Sequence, residues 1–388
     1  MSAPQHHGHH QSDLSAMRHA LALAEQAVGL TEPNPRVGCV IVDAQGQVLG
    51  SGHTQAAGQA HAEVMALRDA QARGADVRGA TAYVTLEPCS HQGRTGPCCD
   101  ALIQAGLAKV VAAIGDPNPQ VAGQGMARLA AAGVQTELGL LAEQARELNI
   151  GFFSRMQRAR PFVRLKIAAS LDGQTALANG QSQWITGLPA RTDGHAWRKR
   201  AGAVLSGIGT VREDDPRLDV RLVPCAMQPL RVVIDSRLEM SPGAKLLSEP
   251  GGPVLIFCAL DEADMMGDGS AAASAAALRA AGAELQSLGN GQGKVDLRAA
   301  IHELGRRGIN ELHIEAGEKL NGSLLRAGLV DELLVYLAPK LLGRGRGMAD
   351  LGGLTQLQDA LNWQWLDCVP VGDDLRLRAR RVPTEAKL

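Results

Sequence analysis

The chain has 388 residues, 45% hydrophobic, 20% charged and 3% aromatic, with 39 basic against 40 acidic residues for a formal charge of −1. That length suggests two domains, and the apolar fraction excludes wholesale disorder. The neutral balance and scarce rings exclude a basic nucleic-acid surface, and no apolar stretch approaches the roughly 20 residues of a membrane span.

In chain order, a disordered His-bearing tail is expected over residues 1–12, with no apolar core of a secretory signal. After Ser12 a helix carries Leu14, Met17, Leu21, Ala24 and Val28 at helical spacing. A buried strand is predicted over 37–42, ending in a turn at 43–46, then a helix over 62–72. A strand over 82–86, a helix after Pro97 and a strand over 109–114 follow. This alternation predicts an α/β sheet covered by helices. Basic residues closing a helical pattern at 149–161 mark a junction, placed so that the domains run 1–155 and 156–388. Beyond it strands are predicted over 162–168, 203–206, 231–235, 254–257, 311–315 and 332–337. Helices are predicted over 189–201, over 296–307 and after Gly317, and the Ala/Gly run at 268–283 reads as a loop leading into a helix. The seven cysteines are odd in number and scattered, which excludes a disulfide framework and points to a reducing cytoplasm.

The strongest chemical signal is His61 and Glu63 followed by Pro88, Cys89, Pro97 and Cys98. A catalytic zinc takes three protein ligands and keeps one position open for water, and His61, Cys89 and Cys98 supply that set. On a regular helix, positions 61 and 63 point about 200° apart. They converge on one site only if His61 sits at the helix start. The proline before each cysteine places both near helix beginnings, where the partial positive charge favours thiolate. Glu63 is the candidate proton shuttle. Two alternatives stand beside this reading: Cys99 replacing Cys98, and a structural zinc closed by His91.

These residues resemble the zinc-dependent nucleobase and nucleoside deaminases, whose signature is H-x-E followed by P-C-x-x-C. Eight residues separate the cysteines here instead of two. That longer loop, together with Asn34–Gly38, Gly52–His53 and Asp116–Pro119, resembles the bifunctional riboflavin-biosynthesis deaminase/reductase family over residues 14–150. The resemblance implies a cytidine-deaminase-like α/β/α domain that hydrolyses an exocyclic amine from a phosphoribosylated diaminopyrimidinone. By resemblance Asn34 and His53 hold the substrate, and His91 and Arg94 are candidates for its phosphate.

The second half has no G-x-G-x-x-G after its first strand. It has glycine turns at 206–210 and 315–323, suited to phosphate but also ordinary strand-to-helix connections. Segments 165–173, 182–186, 211–216, 233–236 and 330–340 resemble the same family's reductase half, and the likeness runs to about residue 380. This implies a dihydrofolate-reductase-like α/β domain that uses NADPH to open the ribosyl ring to a ribityl chain. By resemblance Ala168, Trp184, Thr210, Asp214, Ser236, Gly317, Glu318, Lys319, Leu320, Asn321, Gly322 and Ser323 line the NADPH site. Ser182, Arg198, Leu218, Arg221 and Glu315 meet the substrate, with Lys166 or Asp214 assisting proton transfer. The implied partners are this small phosphorylated pyrimidine and a second copy in a homodimer, with no nucleic acid and no membrane. The alternative is a zinc deaminase acting on another nucleobase or a nucleic-acid base.

Overall fold

The computed structural model describes residues 5–91, 96–119 and 121–382, with side chains from residue 11 onward. The chain divides into two compact units, Met1–Ala159 and Arg160–Leu388. The first begins with helix α1 (Gln5–Gln26), so helix occupies residues expected to form a tail.

Strands β1 (Gly38–Val42), β2 (Val48–His53), β3 (Thr81–Val84), β4 (Lys109–Ala112) and β5 (Gln135–Leu138) form a sheet of order β2-β1-β3-β4-β5. β1 runs antiparallel to β2 and β3, whereas β3, β4 and β5 are parallel. Every residue of β1 is buried, as a continuous apolar run requires of a central strand. Helices α2 (Ala62–Ala72), α3 (Cys98–Gln104), α4 (Gln124–Ala131), α5 (Ala142–Leu148) and α6 (Ile150–Arg158) complete the unit. α2 lies against β1 and β2 at close range because the glycines carry no side chain. A Cβ added at Gly52 would stand 2.5 Å from that of Met65.

The second unit is built on a nine-stranded sheet. Its strands are β6 (Phe162–Ser170), β8 (Ala203–Gly207), β9 (Leu230–Ile234), β10 (Val254–Cys258), β11 (Ala283–Ser287), β12 (Glu311–Ile314), β13 (Glu332–Ala338), β15 (Trp363–Val371) and β16 (Asp374–Arg381). The order is β11-β10-β9-β8-β12-β6-β13-β16-β15. The first seven are parallel, and β16 and β15 close the edge antiparallel. A separate ribbon pairs β7 (Gln174–Leu177) with β14 (Gly345–Gly347). The crossovers carry α7 (Leu188–Arg200), α8 (Ile208–Asp214), α9 (Lys245–Ser248), α10 (Glu262–Met266), α11 (Ser270–Ala280), α12 (Leu297–Arg306) and α13 (Glu318–Arg326). The run expected as a loop leading into a helix is helical for most of its length, as α11. Its alanines carry high helix propensity, and Ala272, Ala275 and Leu278 bury one face. Among the described residues no helix is long and apolar enough to cross a membrane.

Candidate active sites

The first site forms where α2 and α3 begin. His61 is the N-cap of α2, with extended φ −77° and ψ 168°, so its ring turns back toward Glu63 instead of away from it. Cys98 opens α3 directly after the N-cap Pro97. Cys89 sits on a loop after β3 and not at a helix start. It is held by the Cys98 backbone N–H, which donates to its sulfur at 3.4 Å.

His61 Nδ1 lies 3.3 Å from Cys98 Sγ and 3.6 Å from Cys89 Sγ, and the three donor atoms are within 4.8 Å of one another. Zinc–sulfur and zinc–nitrogen bonds of ordinary length, set at a tetrahedral angle, place N and S about 3.5 Å apart. The donor set therefore fits zinc. Cys99 points elsewhere, donating to the Pro88 and Gly125 carbonyls at 3.2 and 3.5 Å, and His91 is outside the trio.

Glu63 is buried at 3% exposure. Burial, reinforced by the nearby Cys89 charge, pushes its carboxyl up to about 7. Hydrogen bonding from Cys98 holds the Cys89 thiolate down to about 4, while the same bond raises the Cys98 thiol. A hydrogen bond with Cys89 raises His61.

A cavity of about 480 Å³ opens over this cluster, and Asn34, His61, Glu63, Cys89, His91, Asp116 and Asn118 are in its wall. His53 is not among the lining residues; it ends β2 opposite Gly38. Arg94 lies outside the described residues. One functional side chain escaped the sequence reading. Glu87 accepts from the backbone N–H groups of Asp116, Gly123, Gly125 and Met126 at 3.2, 3.0, 2.9 and 3.3 Å, tying the Asp116 loop beneath the cavity. Its only sequence signal is its place before Pro88 and Cys89. Replacing Glu87 with Gln turns one acceptor into a donor facing N–H groups. KM for the amine-bearing substrate of the deamination step is expected to rise about tenfold with zinc content unchanged, as steady-state kinetics and metal analysis would read.

The second site lies at the carboxyl ends of the parallel strands, where α/β sheets bind ligands. A cavity of about 980 Å³ is lined there by Lys166, Ala168, Ser182, Thr210, Asp214, Ser236, Glu315, Gly317, Glu318, Lys319, Leu320 and Ser323. Gly317 caps α13 in extended conformation, turning the first N–H groups of that helix outward. Asn321 and Gly322 fall on the opposite side of α13 and serve packing. Asn321 Nδ2 donates to the Met348 carbonyl at 2.8 Å, and a Cβ on Gly322 would meet the Asp350 carbonyl at 1.8 Å. Trp184 is 60% exposed outside the cavity, with Arg191 stacked 4.1 Å from its ring centre.

Beside the cavity Glu315 receives Arg198 through both carboxylate oxygens and Lys166 at 3.4 Å. Burial pushes Glu315 up, but Arg198 and Lys166 override it and hold the carboxyl well below its usual range. Arg221 pairs with the buried Asp219 at 2.5 Å, and Leu218 is buried with φ 53°. Arg198, Leu218 and Arg221 are absent from the cavity lining, and Ser182 donates to Asp214 at 3.1 Å across it.

These features define a zinc-deaminase-type unit followed by a reductase-type α/β unit. The family described as cytidine and deoxycytidylate deaminase zinc-binding region matches residues 10–114, and the RibD C-terminal domain matches residues 161–377. The Escherichia coli riboflavin biosynthesis protein RibD is 44% identical over 374 residues, covering 93% of this chain and 97% of that protein. The solved Acinetobacter baumannii RibD (form 1) superimposes with a TM-score of 0.84 at 39% identity, over 96% of this chain and 99% of that one. A Thermotoga maritima structure, described as a diaminohydroxyphosphoribosylaminopyrimidine deaminase/5-amino-6-(5-phosphoribosylamino)uracil reductase, gives 0.84 at 30% identity, over 96% of this chain and all of that one. The chain belongs to the RibD family of riboflavin-biosynthesis proteins, and its two units have the cytidine-deaminase-like and dihydrofolate-reductase-like folds of that family.

Proposed function

We propose that this chain catalyses two successive steps of riboflavin biosynthesis. The first is zinc-dependent hydrolytic deamination of 2,5-diamino-6-(5-phosphoribosylamino)pyrimidin-4-one. The second is NADPH-dependent reduction of its ribosyl group to ribityl. The observation that carries the first step is the His61, Cys89 and Cys98 donor set beside a buried carboxyl poised near neutrality. Zinc held there supplies a Lewis acid that activates water. Glu63 takes the proton from the attacking water and returns it to the departing amine, for which a pKa near the working pH is suited. Asn34 orients the pyrimidine, and the Glu87-tied loop presents Asp116, itself raised to about 6 by burial.

In the second unit the dinucleotide supplies the hydride to the ribosyl carbon bonded to nitrogen. Thr210, Ser236 and residues 317–320 with Ser323 hold it, while Ala168 of β6 borders the reacting end. Lys166, Ser182 and Asp214 surround that end, and either Lys166 or Asp214 donates the proton to the opening sugar oxygen. Arg198, fixed by Glu315, and Arg221 stand beside the cavity as the phosphate contacts. A cytoplasmic homodimer completes the reading. All seven cysteines are free, and the edge strand β15 leaves Trp365 67% exposed.

The test is selective metal removal. Chelation is expected to abolish ammonia release from the diaminopyrimidinone while NADPH oxidation with the already deaminated pyrimidine continues. Light scattering would read the oligomer. Loss of neither activity, or of both together, counts against the two-site reading.

A further inference from the structure

We propose that Arg237 and Lys294, with the Ser236 hydroxyl, form a phosphate site for the 2′-phosphate of the adenosine ribose and thereby set a preference for NADPH over NADH. The inference rests on the reading of the larger cavity as a nicotinamide-dinucleotide site. All three residues line that cavity.

Their position follows from the strand order. Lys166 and Ala168 belong to β6, Glu315 to Gly317 follow β12, Gly207 to Thr210 follow β8, and Ser236 with Arg237 follow β9. Three strand spacings separate β6 from β9, about 14 Å in all. The cavity thus runs across four strand ends, with the proton-handling residues at one end and these two cations at the other.

The chemistry of the far end excludes the usual recognition of a free ribose. In NAD-binding α/β folds an acidic side chain past a strand end holds the ribose hydroxyls, whereas a nearby arginine accommodates a 2′-phosphate. The acid after β9 is Asp235, but it is fully buried. It borders the cavity, but its two carboxylate oxygens accept the backbone N–H groups of Glu239 and Met240 at 3.0 and 2.8 Å, which fixes the turn and commits the acid to the backbone instead of a ribose hydroxyl.

Arg237 and Lys294 are exposed, and neither side chain forms an ion pair among the described residues. The remaining acid on this wall, Glu239, is paired with Arg212 at 3.4 Å. The Val295 N–H donates to Ser236 Oγ at 3.2 Å, which locks the Lys294 segment against the Ser236–Arg237 turn. Two uncommitted cations on adjoining, tethered segments suit a doubly charged phosphate better than a neutral diol.

The test uses adenosine 2′,5′-bisphosphate against 5′-AMP, titrated calorimetrically into the full chain, with Arg237→Gln, Lys294→Gln and the double variant. Affinity for the bisphosphate is expected to fall about tenfold for each cation removed, with AMP affinity unchanged. The NADPH-to-NADH ratio of kcat/KM moves in parallel. Equal binding of both nucleotides by the unaltered protein, or equal weakening of both in the double variant, overturns the site. Turnover that keeps its full NADPH preference in the double variant overturns the site alone. Neither binding nor turnover of either dinucleotide by the unaltered protein overturns the cofactor reading and the site together.

Discussion

Glu63→Gln is expected to lower ammonia release by at least about 10²-fold while leaving zinc content intact, the loss typical of a removed general base. The substitution keeps the shape of a side chain that is 3% exposed and removes only its ability to carry a proton. The metal donors are His61, Cys89 and Cys98, so the trio is complete without it. Stability should not fall, because a neutral amide escapes the burial penalty that pushes the carboxyl up to about 7. Oxidation of NADPH with the already deaminated pyrimidine provides the control in the same preparation. Metal analysis decides between two accounts of a dead variant. Zinc retained identifies a proton carrier, and zinc lost makes Glu63 part of the metal's support.

How much of this site was readable before folding depended on whether the partners were close in sequence. The 200° argument required His61 to cap its helix, and it does, because the reasoning concerned two residues on one turn. The choice of Cys98 over Cys99 needed the structure, since only packing shows that Cys99 turns to the Pro88 carbonyl. Glu87 was invisible for a stronger reason. Its four partners are backbone N–H groups 29 to 39 residues further along, and a backbone donor leaves no residue type to read.

The same distinction runs through the fold. Buried strands such as β1 announce themselves as apolar runs, whereas β2, with Gly50 and Gly52, and β5, with mostly exposed positions, do not. β16 was legible in principle. Leu375, Leu377 and Ala379 alternate with Arg376, Arg378 and Arg380, a period of two that the charge of the run obscured. In α13 the helical period separates cavity-lining Lys319, Leu320 and Ser323 from the packing residues Asn321 and Gly322, a division that a linear motif over 317–323 conceals.

Those arginines lead to the largest expected stability effect, at Arg164→Met. Arg164 is 1% exposed on β6 and holds Glu311 at 2.9 Å and Glu332 at 2.7 Å, both carboxylates being at most 1% exposed. Its guanidinium also lies 4.4 Å from the Trp197 ring centre. Removing one partner from a buried ionic cluster leaves the others uncompensated, a loss of about 3–5 kcal/mol. Arg200 still reaches Glu311 at 3.0 Å, and Arg378 and Arg380 still reach Glu332 at 3.1 and 2.7 Å, which sets the lower end of that range as the expectation. All four tryptophans, 184, 197, 363 and 365, lie in the second unit, so selectively excited tryptophan fluorescence during denaturant unfolding reports that unit. Acid gives an independent check. Burial pushes Glu332 up, but Arg164 and then Arg378 override it and leave it at about 2. A folded pKa below the unfolded value stabilises above pH 4.5 and is lost as pH falls from there toward 2. Without Arg164 the folded pKa moves back toward 4.5, so the variant starts less stable and loses less on acidification through that window. An unchanged acid slope with a lowered midpoint would instead assign the loss to packing against Trp197.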